Sequence, residues 1–175
     1  MGKEKNYKKL GKKAIEDKVS NIIFIMKFLD STGGLELVRK YFADAIPSYL
    51  IEYAGTGKAG KLIFKQLLKR NPSGNIKRVV EQVKSDNEFL IPLDDYEPLE
   101  IIDNQVISKI NCSYIKKLIK QGKKFHCDFN LRDYYCKNAC IPLLSRLYSD
   151  IFLKLNAELT KNGCIQRIEI DESLL

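Results

Sequence analysis

The sequence predicts an α+β domain, with N-terminal helices followed by a mostly antiparallel sheet packed on helices. Three observations carry that expectation. Residues 10–30 and 46–67 place apolar side chains at helical spacing. Residues 89–113 then turn rich in Ile, Val and Leu and are broken by Pro and Asp-Asn, as short strands joined by a tight turn would be. The last fifteen residues before the C-terminal tail repeat that pattern around Lys161-Asn162-Gly163.

Taken in order, "LGKKAIEDKVSNIIFIMKFLD" (10–30) reads as a helix stopped by Ser31-Thr32-Gly33-Gly34. A second helical pattern starts near Leu35, and Pro47 kinks or restarts it. Asn71-Pro72-Ser73-Gly74 is a turn. Residues 75–86 form a short amphipathic helix with Ile76, Val79, Val80 and Val83 on one face. Strands are expected over 98–102 and 105–111, joined through Asp103-Asn104, and a short helix over 113–121, ended by Gly122. Residues 124–130 suit a strand or a loop. "IPLLSRLYSDIFLKLN" (141–156) reads as a helix, and 164–170 as the last strand. The second half is thus αββαβαββ-like. The division expected is a basic helical segment over 1–34 and one α+β ligand-binding domain over 35–175.

A chain of 175 residues with 45% apolar and 30% charged residues can bury a sizeable core and has a globular composition. The longest apolar run, "IIFIM" (22–26), is far below a membrane span, and "MGKEKNYKKLGKK" has no secretory core, so a cytoplasmic protein is expected. The net charge of +8 is uneven. Residues 1–18 hold seven lysines against three acids, and residues 108–127 hold six lysines and no acid. Such faces are solvated surfaces or contacts for nucleic acid or another anionic ligand. Nucleic acid comes second, because Arg is scarce, Trp is absent and no aromatic–basic stacking motif is evident.

"EYAGTGKAGKLIF" (52–64) contains both G-x-G-x-x-G and G-x-x-x-x-G-K. A phosphate loop needs a strand before the glycines and a helix after them. Ile46, Leu50, Tyr53, Gly57, Gly60, Phe64 and Leu67 instead step by alternate fours and threes, as one stripe of a continuous helix. Leu62 also stands where a P-loop needs a hydroxyl. Glycines in a helix cost about 1 kcal/mol each against Ala. A close-packed backbone or a ligand filling the groove would offset that, which makes Tyr53, Gly57, Gly60 and Phe64 the candidate ligand-binding residues.

From residue 50 onward the chain resembles the 4-vinyl reductase-like domain family. The resemblance lies in the glycine-bearing helix "YAGTGKAGKLIFKQLL", the hairpin ending at Cys112, the segment "CKNACIPLLSRLYSDIF", and Gly163-Cys164 before the last strand. Where the family's ending has an acidic residue and two cysteines, only Cys164 stands here, and Pro142, Leu143 and Leu144 replace its C-terminal glycine pair. The resemblance implies a small-molecule-binding or sensor domain, taking aromatic or other hydrophobic compounds, with a structural zinc in some members. A reductase or hydrolase of the same fold is the alternative, and an adaptor using the lysine faces is the third reading.

All five cysteines lie in the last 64 residues, an odd count that suits metal or redox chemistry, or buried free thiols, better than disulfides. Cys136 and Cys140 ("CKNAC") would share a helix face, or a loop leading into a helix at Pro142. With Cys112 and Cys164 they make the candidate set for zinc, or for an iron–sulfur cluster, and Cys127 and His126 are further candidates. His126 and Cys127, adjacent on a strand, would point apart and form no nucleophile–base pair. Tyr134, Tyr135, Tyr148 and Phe152 belong to a pocket or to the core. The apolar N-terminal helices exceed what a small sheet covers, so a homodimer is expected.

Overall fold

The computed structural model describes residues 2–54, 57–88, 90–127 and 130–174, with side chains from residue 10 onward except those of 53 and 54. The fold is α+β, as expected. Helix α1 (Gly2–Lys40) bends where Gly33 and Gly34 leave helical geometry, and Gly34 takes φ 68, a conformation that favours glycine. A π-helical turn (Tyr41–Ala45) leads into α2 (Ile46–Ala54), followed by α3 (Lys58–Arg70) and α4 (Pro72–Asp86). The hairpin β1 (Glu100–Ile102) and β2 (Gln105–Ile110) comes next, then α5 (Ser113–Lys124) and α6 (Leu131–Tyr135). A second π-helical turn (Cys136–Cys140) enters α7 (Ile141–Ser149), and the hairpin β3 (Leu153–Leu159) and β4 (Cys164–Ile170) closes the chain.

The two π turns have one cause. In each, the next residue donates its N–H five positions back, Ile46 to the Tyr41 carbonyl and Ile141 to the Cys136 carbonyl. Pro47 or Pro142 then follows at once. Proline has no N–H for the carbonyl four residues back, and its ring crowds that carbonyl, so the turn before it widens. The segment "CKNAC" is therefore a wide helical turn rather than a loop.

The four strands pair antiparallel in the order β1-β2-β4-β3. The two-residue turn Asp103-Asn104 has positive φ at both positions (47 and 65), which suits Asp and Asn and matches the twist of a hairpin. Alternation puts Val106, Ser108 and Ile110 of β2, Gln166 and Ile168 of β4, and Leu153 and Leu155 of β3 on the buried side. Helices α3 and α4 pack on that side through Leu68, Ile76 and Val80.

Three expectations change. The helix over 46–67 is interrupted: α2 ends at Ala54, and Gly57, with φ −60 and ψ 167, is the extended N-cap of α3. The helix over 141–156 ends at Ser149, because Phe152 turns the chain at φ 64 and the alternating apolar residues after it enter β3. Gly122 lies within α5 rather than ending it; of the two readings of 124–130, the described residues after Lys124 take the loop.

Buried residues fall into two clusters. One joins Val19, Ile23 and Met26 of α1 to Ile110, Leu118 and Leu131, so the basic N-terminal segment is part of the core. The other joins Leu68, Ile76 and Val80 to Val106, Leu153 and Ile168 of the sheet. Among the described residues no helix is long and apolar enough to cross a membrane.

Candidate functional site

A cavity of about 140 Å³ lies where the two clusters meet. Its wall takes Val80 and Tyr148 from the sheet cluster, and Ile110, Tyr114 and Ile115 from the other. Four tyrosines (Tyr96, Tyr114, Tyr135, Tyr148) and four cysteines (Cys112, Cys136, Cys140, Cys164) face it. Each element brings its residue for a local reason. Cys112 is the N-cap of α5, which Asp95 helps to close by accepting from Ser113 N at 2.7 Å. Cys136 and Cys140 bound the π turn, and buried Asn138 within it accepts from Arg39 Nε at 2.8 Å and donates to the Tyr134 carbonyl at 2.8 Å. Cys164 opens β4 opposite Ile110.

The thiols are held neutral. Burial pushes Cys136 up to about 12 and Cys164 to about 11, and raises Cys140 as well. At Cys112 burial opposes the amide groups of Ile115 and Tyr114, which would lower its pKa, and burial wins. A protonated thiol is a poor nucleophile, so this set is not arranged for thiolate catalysis at neutral pH. The tyrosines are likewise held protonated: burial pushes Tyr114 up to about 12 and raises Tyr96, Tyr135 and Tyr148.

All four residues expected to hold a metal thus share one wall. They do not converge as ligands: among the described residues no group of three or more His, Cys, Asp or Glu side chains is placed to hold a metal ion. His126 is exposed at φ 52 beyond α5, and Cys127 packs on the α1 cluster, so neither reaches the cavity.

The expected ligand-binding set is divided. Gly57 is exposed, and a Cβ added there would meet nothing within 4 Å. Gly60 and Phe64 line a separate shallow groove of about 300 Å³ with Ile63, Leu67, Val79 and Ile151. The Tyr53 side chain and Gly55 lie outside the described residues. Gly57 and Gly60 therefore do not open the cysteine-lined cavity.

Several wall residues had no motif to announce them. Tyr96, Tyr114, Ser108 and Gln166 reach the cavity through strand register and helix phase. Lys84 is the one charged side chain among the described lining residues; its ammonium stands 4.7 Å from the Tyr96 ring centroid, and burial lowers its pKa. A second groove, of about 520 Å³, lies between α1 and α5 and is lined by Lys12, Lys117, Lys120, Ile15, Glu16 and Gln121 with Gly11. Compared with models of known families, with curated proteins and with solved structures, the chain matches none.

Proposed function

We propose that the chain is a cytoplasmic small-molecule-binding or sensor domain of the 4-vinyl reductase-like kind, whose ligand occupies the cavity between the two core clusters. The observation that carries this is a cavity of about 140 Å³ whose wall is mostly apolar, with Lys84 as its one charged side chain among the described residues. A cavity of that size takes a benzene-sized molecule. The order of helices, hairpin, helices and hairpin supports the family reading. Reductase or hydrolase chemistry is less well supported, because the cavity thiols keep their protons. A cysteine-held zinc belongs to this reading only if ligand or metal draws Cys112, Cys136, Cys140 and Cys164 together.

The test is a thermal shift with cyclohexane and benzene on the wild type and on Ile141→Phe, which fills the space. Stabilisation of the wild type, lost in the variant, supports the reading. Equal response in both proteins contradicts it.

A second reading rests on the lysine-lined groove between α1 and α5, which offers three ammonium groups to an anionic partner such as nucleic acid. Binding that steepens as salt falls, and that is lost in Lys117→Glu/Lys120→Glu, supports it; no binding at low salt removes it. A homodimer would cover Leu62 and Ile63, each 62% exposed on α3. Light scattering that finds only monomer at micromolar concentration contradicts that.

A further inference from the structure

We propose that Ser108 is the polar anchor of the cavity, so that its ligand is a neutral molecule of roughly six to eight non-hydrogen atoms carrying one hydrogen-bonding oxygen. This rests on the cavity being a binding site.

Ser108 sits at the centre of the inner face of β2, between Val106 and Ile110, and lines the cavity. It is 1% exposed, and its Oγ has no hydrogen-bond partner. Buried hydroxyls are almost always paired, and no protein group pairs this one, so a molecule in the cavity can serve it. The residue opposite in the register, Gln166, is 7% exposed and also lines the space. Its Nε2 turns to Cys164 Sγ at 3.7 Å, a weak acceptor, and leaves Ser108 unserved.

Size and polarity then set the ligand class. The volume limits the body of the molecule, and the tyrosine, leucine and isoleucine walls favour an apolar one. A single hydroxyl can donate to or accept from one oxygen, so an alcohol or a carbonyl suits it. Of the strand residues around Ser108, Ile110, Cys164 and Gln166 line the cavity, and none of them is charged. An ion held at Ser108 would lose its water and find no counter-charge on this strand wall, the one charged side chain of the described lining, Lys84, standing over Tyr96 instead.

The test uses the full chain and four probes: cyclohexanol, cyclohexanone, methylcyclohexane and cyclohexanecarboxylate. Affinities are measured by NMR titration for the wild type and for Ser108→Ala, which removes the hydroxyl at little change in volume. We expect the substitution to weaken cyclohexanol and cyclohexanone about 3- to 10-fold and to leave methylcyclohexane unchanged or tighter. Cyclohexanecarboxylate should bind the wild type more weakly than cyclohexanol; tighter binding would place the ligand's polar group at Lys84 and overturn Ser108 as the anchor. Should the variant fail to fold, the wild type alone decides. Its preference for cyclohexanol over methylcyclohexane must exceed, by about 3-fold or more, the preference set by partition into octanol. Probes that bind but respond alike to Ser108→Ala, or that follow octanol partition, overturn the anchor while leaving the cavity as a site, with Ser108 served by a water instead. Failure of every probe to bind the wild type overturns the cavity reading itself.

Discussion

Gly163 packs directly on the carbonyl of Ile110: a Cβ added to Gly163 would fall upon that oxygen and crowd the Cys112 amide. This contact sets β4 against the end of β2, beside the cysteines at the head of the cavity. The neighbour that would have to give is backbone, held in the sheet, so it cannot move aside as a side chain would. Gly163→Ala is expected to cost about 3 kcal/mol or more, within the range of severe single substitutions. Asn162→Ala, in the same turn and exposed, should cost under about 0.5 kcal/mol. Denaturant titration of the two variants checks this, and equal midpoints would contradict it.

Lys61 and Asp150 join α3 to the turn after α7 through an ion pair of 2.5 Å whose side chains are 28% and 13% exposed. Partial burial makes this pair worth more than a surface one, yet solvent still screens it. Lys61→Met should therefore lower stability by about 1 kcal/mol, and the loss should shrink in 1 M salt. A loss independent of salt would assign the effect to packing of the lysine stem.

The raised thiols make stability depend on pH in one direction. A thiol near 9 when unfolded and near 11 or 12 when folded keeps its proton in the folded state while the unfolded chain releases it. The stabilising contribution is therefore complete below about pH 9 and is lost as pH rises through 9 to 12. Unfolding free energy should be flat, as regards these groups, from pH 6 to 8 and fall above 9. The fall should be shallower, by about one proton's slope, in Cys136→Ala. An unchanged slope in that variant would contradict the assignment.

Burial also predicts how the cysteines react. Cys112 and Cys136 are buried, and Cys140, Cys164 and Cys127 are half-buried. With a thiol-specific chromogenic reagent at neutral pH the folded chain should react slowly, and in denaturant five thiols should titrate at once. Rapid reaction of several thiols in the folded chain would contradict their burial. Fewer than five in denaturant, together with zinc or iron by elemental analysis, would instead reveal a bound metal.

The hairpins were legible because their signals are local. Asp103-Asn104 and Lys161-Asn162-Gly163 mark turns by residues that tolerate positive φ or close approach, and the alternation beside them is short-range. The helix through the glycines was misread because a 3.6-residue period can persist on both sides of a break. Ile46 to Leu50 and Gly60 to Leu67 keep one phase while the backbone at Gly57 is extended. Residues 150–156 were misread because "IFLKL" fits a helix end as well as the alternation of a strand, and only the turn at Phe152 decides. The cavity was half legible. Cys112, Cys136, Cys140 and Cys164 stood out by type, and they do share a wall. Ser108 and Gln166 did not, since their meeting depends on a register between strands 58 positions apart, set by side chains in between.

The most direct measurement is a methyl NMR titration of the full chain with cyclohexanol, following the isoleucine δ1 methyl groups. Ile110, Ile115 and Ile141 line the cavity, whereas Ile101 and Ile102 lie on the exposed edge strand β1. The proposed site predicts saturable shifts at the first three and none at the last two. No saturable shift at Ile110, Ile115 and Ile141, or shifts as large at Ile101 and Ile102, would contradict a ligand site between the two clusters.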